Sequence, residues 1–186
     1  MICSLILTGC PASFVSPYNE SLYTETNAFY KNVATVIQDA KSVSPLKDED
    51  RALITEQNAP NHEGHFSKFE SKYNKLIIDS NALILSSMTD IDNIDTIGNY
   101  LNGKINSIIA DAIPSICNST EFSELGEKNL TVQNYVDLKC IISKLKQDHK
   151  DSVKGIMKKA NFEQKDKLIF NAILAIQKAE SFKNKK

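Results

Sequence analysis

The segment FSKFESKYNKLIIDSNALI, residues 66–84, has the clearest periodicity in the chain and indicates how it folds. Its inward face repeats at intervals of three and four residues: Phe66, Phe69, Tyr73, Leu76, Ile77, Ser80, Leu83 and Ile84. The opposite face is polar and carries Lys68, Lys72, Lys75 and Asp79. This spacing places the apolar set on one side of an α-helix. The segment therefore predicts an amphipathic helix that buries one face.

The same spacing recurs in four further segments, residues 18–41, 94–112, 131–156 and 161–179. Ser44-Pro45 ends the first, because the residue before a proline avoids helical geometry. Thr131 and Asn161 are placed to cap the last two. No segment alternates with period two for long enough to predict a strand. The sequence therefore predicts an all-α fold, a helical bundle of four or five amphipathic helices.

Length and charge narrow the class of protein. The chain has 186 residues, a formal net charge of −1 and a single arginine, Arg51. This length suits one domain whose core needs no metal ion to hold it together. Nucleic-acid binding calls for a strongly basic surface, so we expect no nucleic-acid partner. We also expect no cofactor, since no glycine-rich loop that could cradle a phosphate is present.

The first ten residues, MICSLILTGC, form a short apolar run that ends in small residues and Cys10. Leu7-Thr8-Gly9-Cys10 resembles the lipobox of bacterial lipoproteins, and that resemblance implies cleavage before Cys10 and lipidation of its thiol. The run is too short to span a bilayer, which takes about 20 apolar residues. No basic residue precedes it, so residues 1–9 are interpreted as a signal peptide truncated at its N-terminus. The alternative is the frayed start of a cytoplasmic protein.

The residues after Cys10 complete a lipoprotein-like order. Residues 10–17 contain two prolines and two serines and are interpreted as the lipidated cysteine with a flexible linker. Residues 18–186 are expected to form a single helical domain.

The helical body resembles small helical lipoproteins of Gram-negative bacteria. The resemblance rests on these residues: Tyr18, Leu22, Phe29-Tyr30, Phe69, Tyr73, Phe170-Asn171-Ala172, Leu174, Lys178 and Glu180. It implies a lipid-anchored protein of the cell envelope. Pro11, which follows the lipidated cysteine, implies sorting to the outer membrane, facing the periplasm or the cell surface.

Two of the four cysteines would remain unmodified by processing. Cys3 would leave with the signal peptide and Cys10 would carry lipid, which leaves Cys117 and Cys140. In an oxidising periplasm such a pair is a candidate disulfide. The alternative is two unrelated buried thiols, since cysteine also behaves as a small apolar residue.

Histidines are the main candidates for chemistry. His62, Glu63 and His65 supply zinc-ligand types within four residues, but zinc proteases place two histidines four apart on a helix, and here the spacing is three. We therefore expect no metal site, with His62, Glu63 and His65 as weak candidates in a solvated loop. His149 lies on the apolar stripe of its helix and is interpreted as a packed or boundary residue; the alternative is a base or a metal ligand. No catalytic constellation is recognised, so we expect no enzymatic activity.

Three hypotheses for the function follow. The leading one is a non-enzymatic interaction module, attached to the membrane through lipidated Cys10, that binds an envelope protein or polymer. The second is a small-ligand-binding lipoprotein with a pocket between aromatic-rich helices, lined by Phe29, Tyr30, Phe66 and Tyr73; the same rings are explained equally by core packing. The third is a metal-dependent envelope hydrolase built on the His62–His65 region.

Overall fold

A computed structural model describes residues 18–88 and 130–183, and these residues fold as an all-α bundle, as predicted. Five α-helices lie in this part of the chain: α1 Glu20–Val43, α2 Asp48–Ala52, α3 Glu70–Met88, α4 Leu130–Lys150 and α5 Lys159–Lys183. Single 3₁₀ turns cover Ala59–Asn61, Phe66–Lys68 and Val153–Gly155. The helix predicted over residues 94–112 lies outside the described residues, as do Cys10 and Cys117.

The four long helices form an antiparallel bundle in which α1 and α4 each pack against both α3 and α5. Paired side-chain contacts fix the directions: Asp39–Lys72 and Glu25–Ser86 join α1 to α3, Lys41–Asp166 and Asn27–Gln177 join α1 to α5, and Asp148–Lys165 and Thr131–Glu180 join α4 to α5. In each pair of helices, the contact at the higher residue number of one helix meets the lower residue number of the other, so the two helices are antiparallel. Consecutive long helices therefore run up, down, up and down.

The core is built from the stripes that the sequence predicted. In α1 the side chains of Leu22, Phe29, Val33, Ile37 and Ala40 are buried. Asn19 caps this helix, since its Oδ1 accepts a 2.9 Å hydrogen bond from the Leu22 N–H. The stripe predicted over residues 66–84 is buried, with Ile77 partly exposed, but α3 begins only at Glu70 and Phe66 lies in the 3₁₀ turn before it. Burial of these apolar side chains, at about 1.5–3 kcal/mol each, is the main term that holds the helices together.

The predicted end of the fourth helix was wrong. The apolar spacing continues through Val153 and Ile156, yet α4 ends at Lys150 and a 3₁₀ turn follows. Lys154 has φ 59° and Gly155 has φ 64°, so the chain reverses direction at these two residues. Val153 points to solvent, whereas Ile156 is buried and forms an isolated antiparallel bridge with His65.

Two predicted N-caps were also wrong. Thr131 lies inside α4, which begins one residue earlier at Leu130, and its hydroxyl contacts Glu180 and Lys183. Asn161 lies inside α5, which begins two residues earlier at Lys159. The Lys159 N–H is bonded to the Pro45 carbonyl at 3.0 Å, so a loop from elsewhere in the chain satisfies a donor that a cap would otherwise take.

A membrane-spanning helix must be both long and apolar. Across residues 18–88 and 130–183, no helix combines the length and the apolar character needed to cross a bilayer.

Candidate functional site

Two loops meet at one end of the bundle. Residues 44–69 connect α1 to α3, and residues 151–158 connect α4 to α5. Because the helices alternate in direction, both loops lie at the end opposite the start of α1 and the end of α5. We call residues 44–65 and 151–158 together the loop cap. It contains the His62–His65 segment and lies beside His149 at the end of α4.

His149 connects the loop cap to the core. Its Nε2 lies 3.0 Å from the Gly64 carbonyl, which can only accept, so Nε2 carries the proton and donates. Nδ1 then accepts from the Tyr73 hydroxyl at 2.8 Å. Burial lowers the pKa of His149 to about 4, and burial raises the pKa of Tyr73. At neutral pH the imidazole is therefore uncharged, with both nitrogens bonded.

Aromatic rings enclose this histidine. The ring centroids of Phe162, Phe69, Tyr73 and Phe66 lie 5.2, 5.6, 5.7 and 5.8 Å from that of His149. Three of these contacts are edge-to-face, an arrangement that aromatic pairs favour. The interpretation of His149 as a packed residue agrees with this geometry. Its bonds fasten Gly64, and with it the longer loop, to α4.

Side chains and backbone tie the two loops together. The Arg51 guanidinium donates to the Ile156 carbonyl, and Lys154 Nζ donates to the Ile54 carbonyl. Lys158 forms a 2.7 Å ion pair with Asp48, which Arg51 also contacts. The hydrogen bond from Lys158 lowers the pKa of the Asp48 carboxyl. The loops thus form one unit in which three basic side chains point back onto the protein.

His65 and Gly155 pack closely against each other where the two loops meet. A Cβ added to Gly155 would lie 2.8 Å from His65 Nε2, closer than such atoms approach. The other ring nitrogen of His65 lies 2.8 Å from the Ser67 hydroxyl, which fixes the ring. His62 is used locally as well, since its Nδ1 accepts from the Gly64 N–H at 2.9 Å.

The weak metal candidates are not brought together. His62 and His65 each bond within their own turn, and Glu63 is exposed. Among residues 18–88 and 130–183, no group of three or more His, Cys, Asp or Glu side chains is placed to hold a metal ion. The structure thus gives the hydrolase hypothesis no cluster to act through in that part of the chain.

The four pocket candidates fall into different environments. Phe29 is buried in the core, and Tyr30 lies against Phe170 of α5 with ring centroids 5.9 Å apart. Phe66 and Tyr73 stack at 6.3 Å beside His149. The rings of Tyr30, Phe66 and Tyr73 thus contact other side chains of the bundle, and a ligand pocket between the helices stays a prediction.

Sequence reasoning missed a polar cluster at the opposite end of the bundle. Glu180 of α5 is only 2% exposed, and its Oε1 accepts from Lys183 Nζ at 2.9 Å. Lys183 also donates to the Thr131 hydroxyl at 2.9 Å. Oε2 of Glu180 is buried without a hydrogen-bond partner among the described residues. The signal was present in the sequence, because Glu180 lies four residues after Ile176 on the buried stripe of α5.

Comparison with known proteins gives no further assignment. No protein-family model matches the chain, and neither the curated proteins nor the solved structures contain a match to it.

Proposed function

We propose that this protein is a non-enzymatic interaction module, anchored by lipid at Cys10 to the bacterial cell envelope. The observation that carries the proposal is the inequivalence of the two ends of the bundle. Tyr18 and Lys183, the first and last described residues, belong to the end that holds Glu180 and Thr131. A linker from Cys10 joins that end, so the loop cap is the end that faces away from the membrane.

The use of the buried polar groups also supports an interaction role. Both imidazole nitrogens of His149 form hydrogen bonds, one with the Gly64 carbonyl and one with the Tyr73 hydroxyl. The hydroxyls of Thr26 and Tyr135 bond to each other at 2.7 Å. A general base or nucleophile needs a group that is free to meet substrate, and these groups are committed to packing. The proposed work of the protein is therefore binding through its surface.

Metabolic labelling with an alkyne-tagged palmitate tests the anchor. The protein is expressed from its native locus as wild type, Cys10→Ala and Cys3→Ala, and recovered by immunoprecipitation. We expect label on the wild type and on Cys3→Ala, and none on Cys10→Ala. An unlabelled wild type, or label that persists in Cys10→Ala, would overturn the proposal.

The same proposal extends to the remaining cysteines. Cys140 lies on α4, and Cys117 lies outside the described residues, so their disulfide stays a proposal. It is supported by the oxidising compartment that the anchor implies. Non-reducing electrophoresis of the exported protein should show a mobility shift on reduction that disappears in Cys117→Ser. An identical mobility with and without reductant would contradict the bond.

A further inference from the structure

Large aliphatic side chains are exposed on the loop cap. Leu53 is 83% exposed, Leu46 is 65% exposed and Val153 is 56% exposed. The backbone beside Leu53 and Leu46 is held in place, since the Ile54 carbonyl accepts from Lys154 and the Pro45 carbonyl accepts from Lys159. The Val153 carbonyl accepts from the Ile156 N–H at 3.1 Å. These apolar groups are therefore presented to solvent from ordered loops. Covering them with apolar groups of a partner would be favourable, by about 25 cal/mol for each Å² of apolar surface removed from water.

The loop cap carries a net negative charge. It has six carboxylates, Asp48, Glu49, Asp50, Glu56, Glu63 and Asp151, against four basic residues, Lys47, Arg51, Lys154 and Lys158. Arg51, Lys154 and Lys158 all point back onto carbonyls or Asp48. Glu49, Glu56 and Glu63 are exposed and form no ion pair with the described part of the chain. Lys47 is exposed too, but the carboxylates outnumber it.

We propose that the loop cap docks a protein segment in which apolar side chains are flanked by lysine or arginine. This inference rests on the proposed interaction function and names the partner's chemistry. Leu53 and Val153 would be covered by the apolar side chains, and Glu49 and Glu56 would attract the basic ones. A second copy of this chain that docked through its own loop cap would bring like charges together. An anionic lipid surface or polymer would be repelled for the same reason.

A binding titration on the full chain tests this chemistry. The probe is a fluorescent synthetic amphipathic helix of leucine and lysine, compared with its leucine–glutamate counterpart and with phosphatidylglycerol vesicles. We expect the lysine peptide to bind, and Leu53→Gln to weaken binding by about tenfold. The double variant Glu49→Gln/Glu56→Gln should weaken it by about threefold, with the loss shrinking as salt rises. The matched control is Leu85→Gln on α3, which removes a leucine of 65% exposure away from the loop cap.

Equal affinity of the lysine peptide for Leu53→Gln and Leu85→Gln would overturn the proposal. Binding of the glutamate peptide or of the vesicles as strongly as the lysine peptide would also overturn it. If the wild-type chain self-associates and Leu53→Gln does not, the surface would instead bind a second copy, which also overturns the proposal.

Photo-crosslinking in the producing cell separates this inference from the proposed function. A benzophenone amino acid replaces Leu53, Val153, Leu85 or Phe170, one at a time. Capture at Leu53 and Val153, through a partner peptide rich in apolar and basic residues, supports the inference. Capture of a partner at Leu85 or Phe170 instead overturns the docking site but leaves the interaction function standing. Capture at none of the four positions counts against both.

Discussion

The ring of His65 lies against the backbone of Gly155, the second of two consecutive residues with positive φ. This contact joins the two loops of the cap, and two separate constraints favour glycine at position 155. A side chain would collide with His65 Nε2, and an L-residue at φ 64° is itself unfavourable.

Gly155→Ala should therefore destabilise the protein, by about 1–3 kcal/mol in the free energy of unfolding from urea denaturation. Gly155→Asn should cost less in backbone energy than alanine does, since asparagine tolerates the left-handed region. In a His65→Ala background the steric part disappears, and the alanine substitution should cost only about 1 kcal/mol. An alanine variant as stable as wild type would mean that this contact is not tight in solution.

His149→Phe should destabilise the protein even though it places another aromatic ring among the four aromatic neighbours of His149. Phenylalanine leaves the Gly64 carbonyl and the Tyr73 hydroxyl without partners, at about 1–3 kcal/mol for each buried group. The double variant His149→Phe/Tyr73→Phe removes one of those two unpaired groups and should be more stable than His149→Phe alone. Urea denaturation of the three proteins measures this order. A double variant less stable than the single one would contradict the assigned hydrogen bonds.

The stability of the protein should fall as the pH is lowered, because of His149. Its pKa is about 4 in the folded state against 6.5 for an unperturbed histidine, so below pH 6.5 the unfolded chain binds the proton first. The contribution is complete above pH 6.5 and is lost progressively down to about pH 4, a difference of about 3 kcal/mol.

The control for this pH dependence is His149→Phe, which lacks the titrating group. Burial raises the pKa of Asp137, and that shift acts in the opposite sense because it favours the folded state at low pH. The comparison is therefore made as wild type minus variant at each pH, where Asp137 cancels. Parallel stability curves for the two proteins would rule out the proposed linkage.

The bond between Thr26 and Tyr135 should respond unequally to removal of its two partners. The Thr26 hydroxyl donates to the Leu22 carbonyl at 2.7 Å, so it accepts from the Tyr135 hydroxyl. Tyr135→Phe leaves Thr26 still bonded and should cost about 1 kcal/mol. Thr26→Val leaves the buried Tyr135 hydroxyl unpaired and should cost about 1–3 kcal/mol. Equal costs, or the reverse order, in thermal or urea unfolding would show that the donor assignment is wrong.

The helices were predictable where burial alone sets the spacing. In α1 and α3 one face packs against neighbours along its whole length, so Phe29, Val33, Tyr73 and Leu76 repeat at helical intervals and are buried. The end of α4 was not predictable in this way. Val153 and Ile156 keep the spacing, but Lys154 adopts a left-handed conformation that lysine does not signal.

The candidate site was less predictable, because its contacts join distant parts of the chain. His149 was identified on the apolar stripe, yet Gly64, its hydrogen-bond partner, lies 85 residues away. The exposure of Leu53 could not be predicted from sequence, since an apolar residue in a loop is as easily buried. The inward direction of Arg51 depends on the Ile156 carbonyl, which only the folded chain places within reach.

The length of the bundle and that of the proposed linker together limit how far the loop cap can lie from Cys10. Helix α1 has 24 residues, and at 1.5 Å per residue it separates the linker end from the loop cap by about 36 Å. Residues 10–17 add at most about 28 Å when fully extended. Leu53 could therefore lie anywhere within a hemisphere of roughly 60 Å radius centred on a lipidated Cys10. With that anchor, a partner of the loop cap would not need to touch the membrane but would have to enter this volume. Shortening the linker should then exclude distant partners before it affects folding.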